Sequence, residues 1–142
     1  MPERLRPESS VGSTGFSAGR LWGVLLVDDD AVLVHMLRRV LDADGRFTVL
    51  GCASSIGQAS VQLETITPDV IVLDNGLPDA LGAPAARALR AYAPHARVVV
   101  VSGSAASQDF AALGVDRWVE KAELFTVPEV LAELMAAARP LP

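Results

Sequence analysis

Short aliphatic runs alternate with helix-periodic segments along almost the whole chain after residue 20. The runs are rich in Val, Ile and Leu, as is typical of strands that are buried on both faces of a parallel sheet. In the segments between them, apolar residues recur with helical spacing, for example at Leu33, Met36, Leu37 and Val40, and on one face of a predicted third helix at Ala85, Ala88, Leu89 and Tyr92. The pattern predicts five strands, at Val24–Val27, Phe47–Cys52, Val70–Leu73, Arg97–Val101 and Asp116–Val119.

Strict alternation of strands and helices predicts an α/β fold, in which helices cover both faces of a parallel sheet. Because the connections that cross over between parallel strands are right-handed, few sheet topologies are possible. The favoured one is a doubly wound, five-stranded sheet in the order 2-1-3-4-5 with five helices. Asp30 is expected to cap the first helix. The fourth helix is predicted at Ala105–Leu113, and the fifth is marked by an apolar stripe from Val127 to Ala138 with Pro128 in its first turn.

The composition of the chain limits the domain organisation and the classes of partner that we expect. The chain is 51% hydrophobic but only 5% aromatic, so we expect an aliphatic core. We expect residues 1–20 to form a disordered Pro/Ser/Gly-rich tail, residues 21–139 to form one domain, and residues 140–142 to form a C-terminal tail. The net charge of −5 argues against direct binding to nucleic acid, and no apolar stretch reaches membrane-spanning length. With Cys52 as the only cysteine, we expect a cytoplasmic protein.

Polar side chains follow the aliphatic runs at the points where the predicted strands end. Asp28 and Asp29 follow the first strand, Asp74 follows the third, Ser102 follows the fourth, and Lys121 comes just after the fifth. The carboxyl ends of parallel strands meet at one edge of a sheet, where ligands bind, so we expect these side chains to lie together. Clustered carboxylates repel one another, and a hard divalent cation such as Mg²⁺ relieves that repulsion. A carboxylate beside a cation and an ammonium group can accept a phosphoryl group.

Four motifs occur in order at domain-like spacing. They are Leu-Leu-Val-Asp-Asp-Asp at 25–30, Val-Ile-Val-Leu-Asp-Asn-Gly-Leu-Pro at 70–78, Val-Val-Ser-Gly at 100–103 and Trp-Val-Glu-Lys at 118–121. Together they resemble the receiver domain of two-component response regulators, and the resemblance extends from about Trp22 to Arg139. It implies the flavodoxin-like fold and the transfer of a phosphoryl group from a histidine kinase to one aspartate.

The resemblance also implies a role for each residue at the strand ends. Asp74 would be the phosphoacceptor, and Ser102 and Lys121 would contact the phosphoryl group. Trp118 occupies the position of an aromatic side chain whose orientation often follows phosphorylation. Four residues would hold Mg²⁺ or Mn²⁺, the last through its carbonyl oxygen: Asp28, Asp29, Asp74 and Gly76.

The partners that the resemblance implies are proteins. A sensor histidine kinase or a phosphotransfer protein would supply the phosphoryl group. A separate output protein would contact the face between the fourth and fifth helices, and the same face could form a homodimer. The chain would act as a stand-alone receiver and would not be an enzyme, beyond assisting its own phosphorylation and dephosphorylation.

The chain departs from the family pattern at three places. Ala122 follows Lys121 where the family usually has proline, and a peptide bond before alanine is expected to be trans. The segment from Ser102 to Lys121 is about one helical turn short, and Leu81 replaces an acid common before the glycine that matches Gly82. The first two departures motivate an alternative, a pseudo-receiver that binds proteins independently of phosphorylation. A third alternative, a magnesium-dependent phosphatase or nucleotide-binding enzyme, lacks a Gly-rich phosphate loop.

Overall fold

The computed structural model describes residues 20–104, 110–112 and 114–138, and within these the strands form one main sheet and one short ribbon. The main sheet is parallel and contains β1 (Trp22–Val27), β2 (Phe47–Ala53), β3 (Val70–Asp74), β6 (Arg97–Ser102) and β7 (Arg117–Glu120). Its order is β2-β1-β3-β6-β7. The antiparallel ribbon consists of β4 (Gly76–Leu77) and β5 (Ala80–Leu81). Among the five strands of the main sheet the order is therefore the predicted 2-1-3-4-5, and the ribbon is an addition that the sequence did not predict.

Four α-helices lie within the described residues. They are α1 (Ala31–Asp44), α2 (Ile56–Gln62), α3 (Gly82–Tyr92) and α4 (Val127–Ala138), and a 3-10 helix at Lys121–Thr126 leads into α4. The predicted fourth helix, Ala105–Leu113, falls mainly on residues 105–109 and 113, which are outside the described residues, and residues 110–112 are in a turn. The helix named α4 is therefore the predicted fifth helix. Residues 1–19 of the predicted N-terminal tail, the predicted C-terminal tail at 140–142 and the last residue of the predicted domain, Arg139, also lie outside the described residues.

The first helix begins and ends where local chemistry favours it. The Asp30 side chain accepts hydrogen bonds from the amides of Val32 (3.0 Å) and Leu33 (3.2 Å), which confirms the predicted cap. The helix ends at Gly45, whose φ of 87° lies in the left-handed region that favours glycine. Because Asp30 starts the helix directly after the first strand, the acidic residues before it stay at the end of the sheet.

Alternate residues of the central strands contribute to two separate cores. Val24 and Leu26 pack with α1 and α4 on one face of the sheet, while Leu25 and Val27 pack with α2 and α3 on the other. The same alternation continues in β3 and β6, so the sheet is buried on both sides, as continuous aliphatic runs predict. Among the described residues, none of the helices combines the length and the apolar character needed to span a membrane.

Two details of the predicted helical faces were wrong. The buried line of α1 runs through Leu33, Leu37 and Leu41, and Met36 is 36% exposed, because the helix packs along residues four apart. Tyr92 was expected on the buried face of α3 but is 57% exposed, since it is the last residue of that helix. Neither difference moves a residue at the strand ends.

Candidate functional site

Three carboxylates meet at the carboxyl edge of the sheet. Asp28 follows β1 directly, Asp74 is the last residue of β3, and Asp29 is exposed beside them. One carboxylate oxygen from each lies within 4.8 Å of one from each of the others. The sequence-based expectation that these side chains come together is borne out by this geometry.

Strand register explains why they meet. The neighbouring parallel strands β1 and β3 pair Val27 with Leu73, so the next residue on each strand emerges at the same level. The amide of Asp28 donates to the carbonyl of Ala53 (2.9 Å) at the end of β2, which fixes the direction in which the chain leaves the sheet. Both Asp28 and Asp74 are only 6% exposed, so two of the three carboxylates are buried at the edge of the sheet and only Asp29 is open to solvent.

Burial makes the ionised form of Asp28 costly. Desolvation, reinforced by the nearby carboxylate of Asp74, raises the pKa of Asp28 from 3.8 to about 6. The amide of Asp30, which donates to Asp28 Oδ1 at 2.8 Å, and the charge of Lys121 oppose this rise without cancelling it. A carboxylate with a raised pKa beside two others is the environment that a divalent cation stabilises, and hard oxygen ligands are those that Mg²⁺ prefers. The donor set therefore fits the expected metal.

The ammonium group of Lys121 completes the cluster. Its Nζ lies 3.3 Å from Asp74 Oδ1, and its side chain is 37% exposed. It is the only lysine in the chain. The described residues contain no cis peptide bond, so the bond between Lys121 and Ala122 is trans, as expected for alanine. The lysine contacts the buried aspartate without the proline that is usual in the family.

Ser102 and Trp118 are both linked to one neighbouring residue, Ser104. Asp74 pairs with Val101, so Ser102 lies one residue further along the same edge, where it is 2% exposed. The Oγ of Ser102 accepts from the amide of Ser104 (3.1 Å) and lies 3.2 Å from its Oγ. The indole Nε1 of Trp118 donates to the carbonyl of Ser104 (3.0 Å). Because Ser104 contacts both residues, a change in the contacts of Ser102 can alter the hydrogen bond of Trp118 through Ser104 alone.

Gly76 lies two residues after Asp74, at the exposed start of the ribbon. The role of its carbonyl as a metal ligand stays a prediction. The ribbon is held by Asp79, whose carboxylate accepts from the amides of Ile56 (3.0 Å) and Gly57 (3.1 Å).

Sequence reasoning missed two residues that hold the surroundings of the site, Ser104 and Asp79. The role of Ser104 could not be predicted, because its main contacts use its backbone amide and carbonyl, which every residue type except proline has. Asp79 follows Pro78 in a pattern typical of a turn, and its partners lie 22 and 23 residues earlier in the chain. A proline followed by an aspartate marks a turn, but nothing in that pattern identifies a distant partner.

Comparison with known proteins agrees with the geometry. The model of the response regulator receiver domain matches residues 24–126. The KDP operon transcriptional regulatory protein KdpE of Escherichia coli K12 is 33% identical over 118 residues, which are 82% of this chain and 51% of KdpE. A protein-glutamate methylesterase/protein-glutamine glutaminase of Treponema denticola is 30% identical over 125 residues, covering 80% of this chain and 34% of that protein. The chain thus spans about half the length of the first relative and about a third of the second.

Solved structures show the same fold. The response regulator domain of Thermotoga maritima CheB aligns with a TM-score of 0.72 and 25% identity, covering 87% of this chain and 100% of that domain. A CheY-like receiver domain protein from Methanospirillum hungatei aligns with a TM-score of 0.72 over 83% of this chain and 96% of its own, and its 21% identity supports the fold alone. With the family model matching most of its length, the chain belongs to the response regulator receiver domain family of two-component systems.

Proposed function

We propose that this chain is a phosphorylatable signalling domain in which Asp74 accepts a phosphoryl group from a histidine kinase or a phosphotransfer protein. The observation that carries the proposal is the cluster at the sheet edge, with Asp28 and Asp29 close to Asp74 and the ammonium of Lys121 3.3 Å from it. A buried carboxylate between acidic and basic partners can attack phosphorus while its surroundings neutralise the incoming negative charge.

Each residue of the cluster has a distinct part in this proposal. An oxygen of Asp74 forms the new bond to phosphorus as the bond from phosphorus to the donor's imidazole nitrogen breaks. The ammonium of Lys121, already beside Asp74, pairs with a phosphoryl oxygen. The hydroxyl of Ser102 donates to another phosphoryl oxygen once it leaves Ser104. Mg²⁺ would neutralise charge on the phosphoryl oxygens, held by Asp28, Asp29, Asp74 and the carbonyl of Gly76.

The signal would leave the site through Ser104. When Ser102 turns toward the phosphoryl group, its contacts with Ser104 are lost, and the carbonyl that holds the Trp118 indole is free to move. We describe this as a shift between two populated states of the domain. The face between the predicted fourth helix, which lies mainly outside the described residues, and α4 is the proposed contact face for a separate output protein or for a second copy of the chain.

The pseudo-receiver alternative rests on Ala122, which replaces the usual proline after Lys121, and on the short segment between Ser102 and Lys121. The contact between Lys121 and Asp74 supports the phosphorylatable domain instead, because the lysine reaches its partner across a trans bond. The raised pKa of Asp28 supports it too, since a domain without metal or phosphate chemistry gains nothing from a costly buried charge. Failure to bind beryllofluoride in the presence of Mg²⁺ would favour the alternative.

Intact mass spectrometry after incubation with acetyl phosphate tests the proposal. The wild type should gain one phosphoryl group in Mg²⁺ and none in EDTA, and Asp74→Asn should gain none in either. Asp42→Asn is the matched control, because Asp42 is exposed on α1 and makes no hydrogen bond or ion pair with another described residue. Equal uptake by the wild type and Asp74→Asn would refute the assignment of the acceptor.

A further inference from the structure

We propose that Asp79 is a positioning residue that couples the metal-binding edge of the sheet to the first turn of α2. It does so by holding the β4–β5 ribbon, and with it the backbone of Gly76, beside Asp74. This inference rests on the proposed function, because it concerns how the chain prepares the site for Mg²⁺.

Both oxygens of the Asp79 carboxylate accept hydrogen bonds from amides at the start of α2. Oδ1 accepts from the amide of Ile56 at 3.0 Å and Oδ2 accepts from the amide of Gly57 at 3.1 Å. The first amides of a helix have no partner inside the helix. The ordinary capping residue, Ser55, accepts only from the amide of Gln58 (3.1 Å), so Asp79 supplies the acceptors for the two amides before it. These hydrogen bonds lower the pKa of Asp79, so the carboxylate is ionised at neutral pH.

The ribbon that carries Asp79 continues directly from the proposed phosphorylation site. Asp74 ends β3, Gly76 begins β4, and Asp79 occupies the turn that joins β4 to β5. Leu77 is 4% exposed and belongs to the core on the α2 and α3 side, so the ribbon has one apolar anchor. Asp79 gives it a second, polar anchor on the other side of Pro78. With two anchors the ribbon cannot pivot about Leu77, and the backbone of Gly76 keeps a fixed place relative to Asp74.

A metal ligand that is held in place before the metal binds strengthens binding, because the entropy of ordering that ligand is lost on folding and not on binding. The effect must also be reciprocal. If the contact between Asp79 and α2 favours Mg²⁺ binding, then Mg²⁺ must favour the contact by the same factor. The amides of Ile56 and Gly57, which make no proposed contact with the metal, should therefore exchange with solvent more slowly when Mg²⁺ is bound.

Calorimetric titration with Mg²⁺ tests the inference on Asp79→Ala, Asp79→Asn and the control Asp42→Ala. We expect Asp79→Ala to bind Mg²⁺ about tenfold more weakly, the lower end of the effect of losing an outer partner of a metal ligand. Asp79→Asn keeps one acceptor oxygen and should fall between Asp79→Ala and the wild type. Asp42→Ala removes an equal charge from an exposed position and should bind as the wild type does.

The outcomes separate this inference from the proposed function. If the wild type binds no Mg²⁺, the proposed function fails and the inference fails with it. If the wild type binds Mg²⁺ and Asp79→Ala binds it equally well, only the inference is overturned, even where the variant unfolds at a lower temperature. Amide exchange gives a second readout on the unmodified protein: slower exchange at Ile56 and Gly57 with Mg²⁺ supports the coupling, and unchanged exchange overturns it.

Discussion

Replacing Asp28 by asparagine should stabilise the metal-free protein, although it removes a residue of the proposed site. Asp28 is buried beside Asp74, and this burial makes its charge costly in the metal-free cluster. Asparagine has nearly the same shape and keeps an oxygen that can accept from the amide of Asp30, which now donates to Asp28 Oδ1 at 2.8 Å. The substitution therefore removes the charge and preserves the hydrogen bond.

The size of the effect follows from the pKa. In the folded protein the pKa of Asp28 is about 6, whereas its ordinary value is 3.8. Between these values the folded state binds more protons than the unfolded state, so this group makes folding less favourable as the pH rises from 3.8 to 6. Above pH 6 the full cost is present, and the pKa difference corresponds to about 3 kcal/mol. Asp28 is only 6% exposed, but its neighbours Asp29 and Lys121 are open to solvent, so screening reduces this figure to about 2–3 kcal/mol.

Urea denaturation in EDTA, at pH 7.5 and again at pH 4.5, measures the effect. Asp28→Asn should raise the free energy of unfolding by about 2–3 kcal/mol at the higher pH and by much less at the lower pH. Asp29→Asn is the control, because Asp29 is exposed, and its change should stay within about 0.5 kcal/mol. With Mg²⁺ present the order should reverse, since the wild type gains binding energy that Asp28→Asn loses. A pH-independent gain, or a loss of stability in EDTA, would refute the electrostatic explanation.

Three further substitutions address the lysine, the aromatic residue and the fold. Lys121→Met should slow phosphoryl uptake from acetyl phosphate by about 10–100-fold, as rapid-quench intact mass can measure, because the charge beside Asp74 is lost; an unchanged rate would exclude its role. Trp118→Phe should abolish the change in tryptophan fluorescence on adding beryllofluoride and Mg²⁺, whereas Trp22→Phe should retain it; the opposite result would place the structural change elsewhere. Gly45→Ala should cost about 1 kcal/mol in urea denaturation, because φ is 87° there, and should leave Mg²⁺ affinity unchanged; no loss of stability would contradict the strain argument.

Much of the fold could be predicted because its strands are continuous aliphatic runs, and buried parallel strands leave little choice of topology. The meeting of Asp28 with Asp74 was predictable for the same reason, since both residues end neighbouring strands. The β4–β5 ribbon was not, because strands of two residues have no periodicity to detect. The predicted buried face of α1 was wrong by part of a turn. Met36 and Leu41 are both apolar, and only their packing in the folded chain shows that Leu41 is buried and Met36 is partly exposed.

The surroundings of the site depended on contacts that sequence patterns do not encode. The trans bond before Ala122 was expected, but its effect on Lys121 could not be derived, because a flexible side chain can compensate for a changed backbone. Ser104 acts through its own backbone amide and carbonyl, and Asp79 accepts from backbone amides of a distant segment, so neither residue type indicates its partner in the sequence. These contacts are specific to the folded chain, and they are where the structure adds most to the sequence.

Chemical trapping of the phosphorylated residue tests the central claim most directly. The protein is incubated with acetyl phosphate and Mg²⁺, and the acyl phosphate is reduced with borohydride, which converts a phosphorylated aspartate to homoserine. Peptide mass mapping then reads the modified position. The proposed mechanism predicts homoserine at position 74 and at no other aspartate, with none formed in EDTA. Homoserine at position 28 or 29, or no homoserine in protein that is shown to bind Mg²⁺, would contradict it.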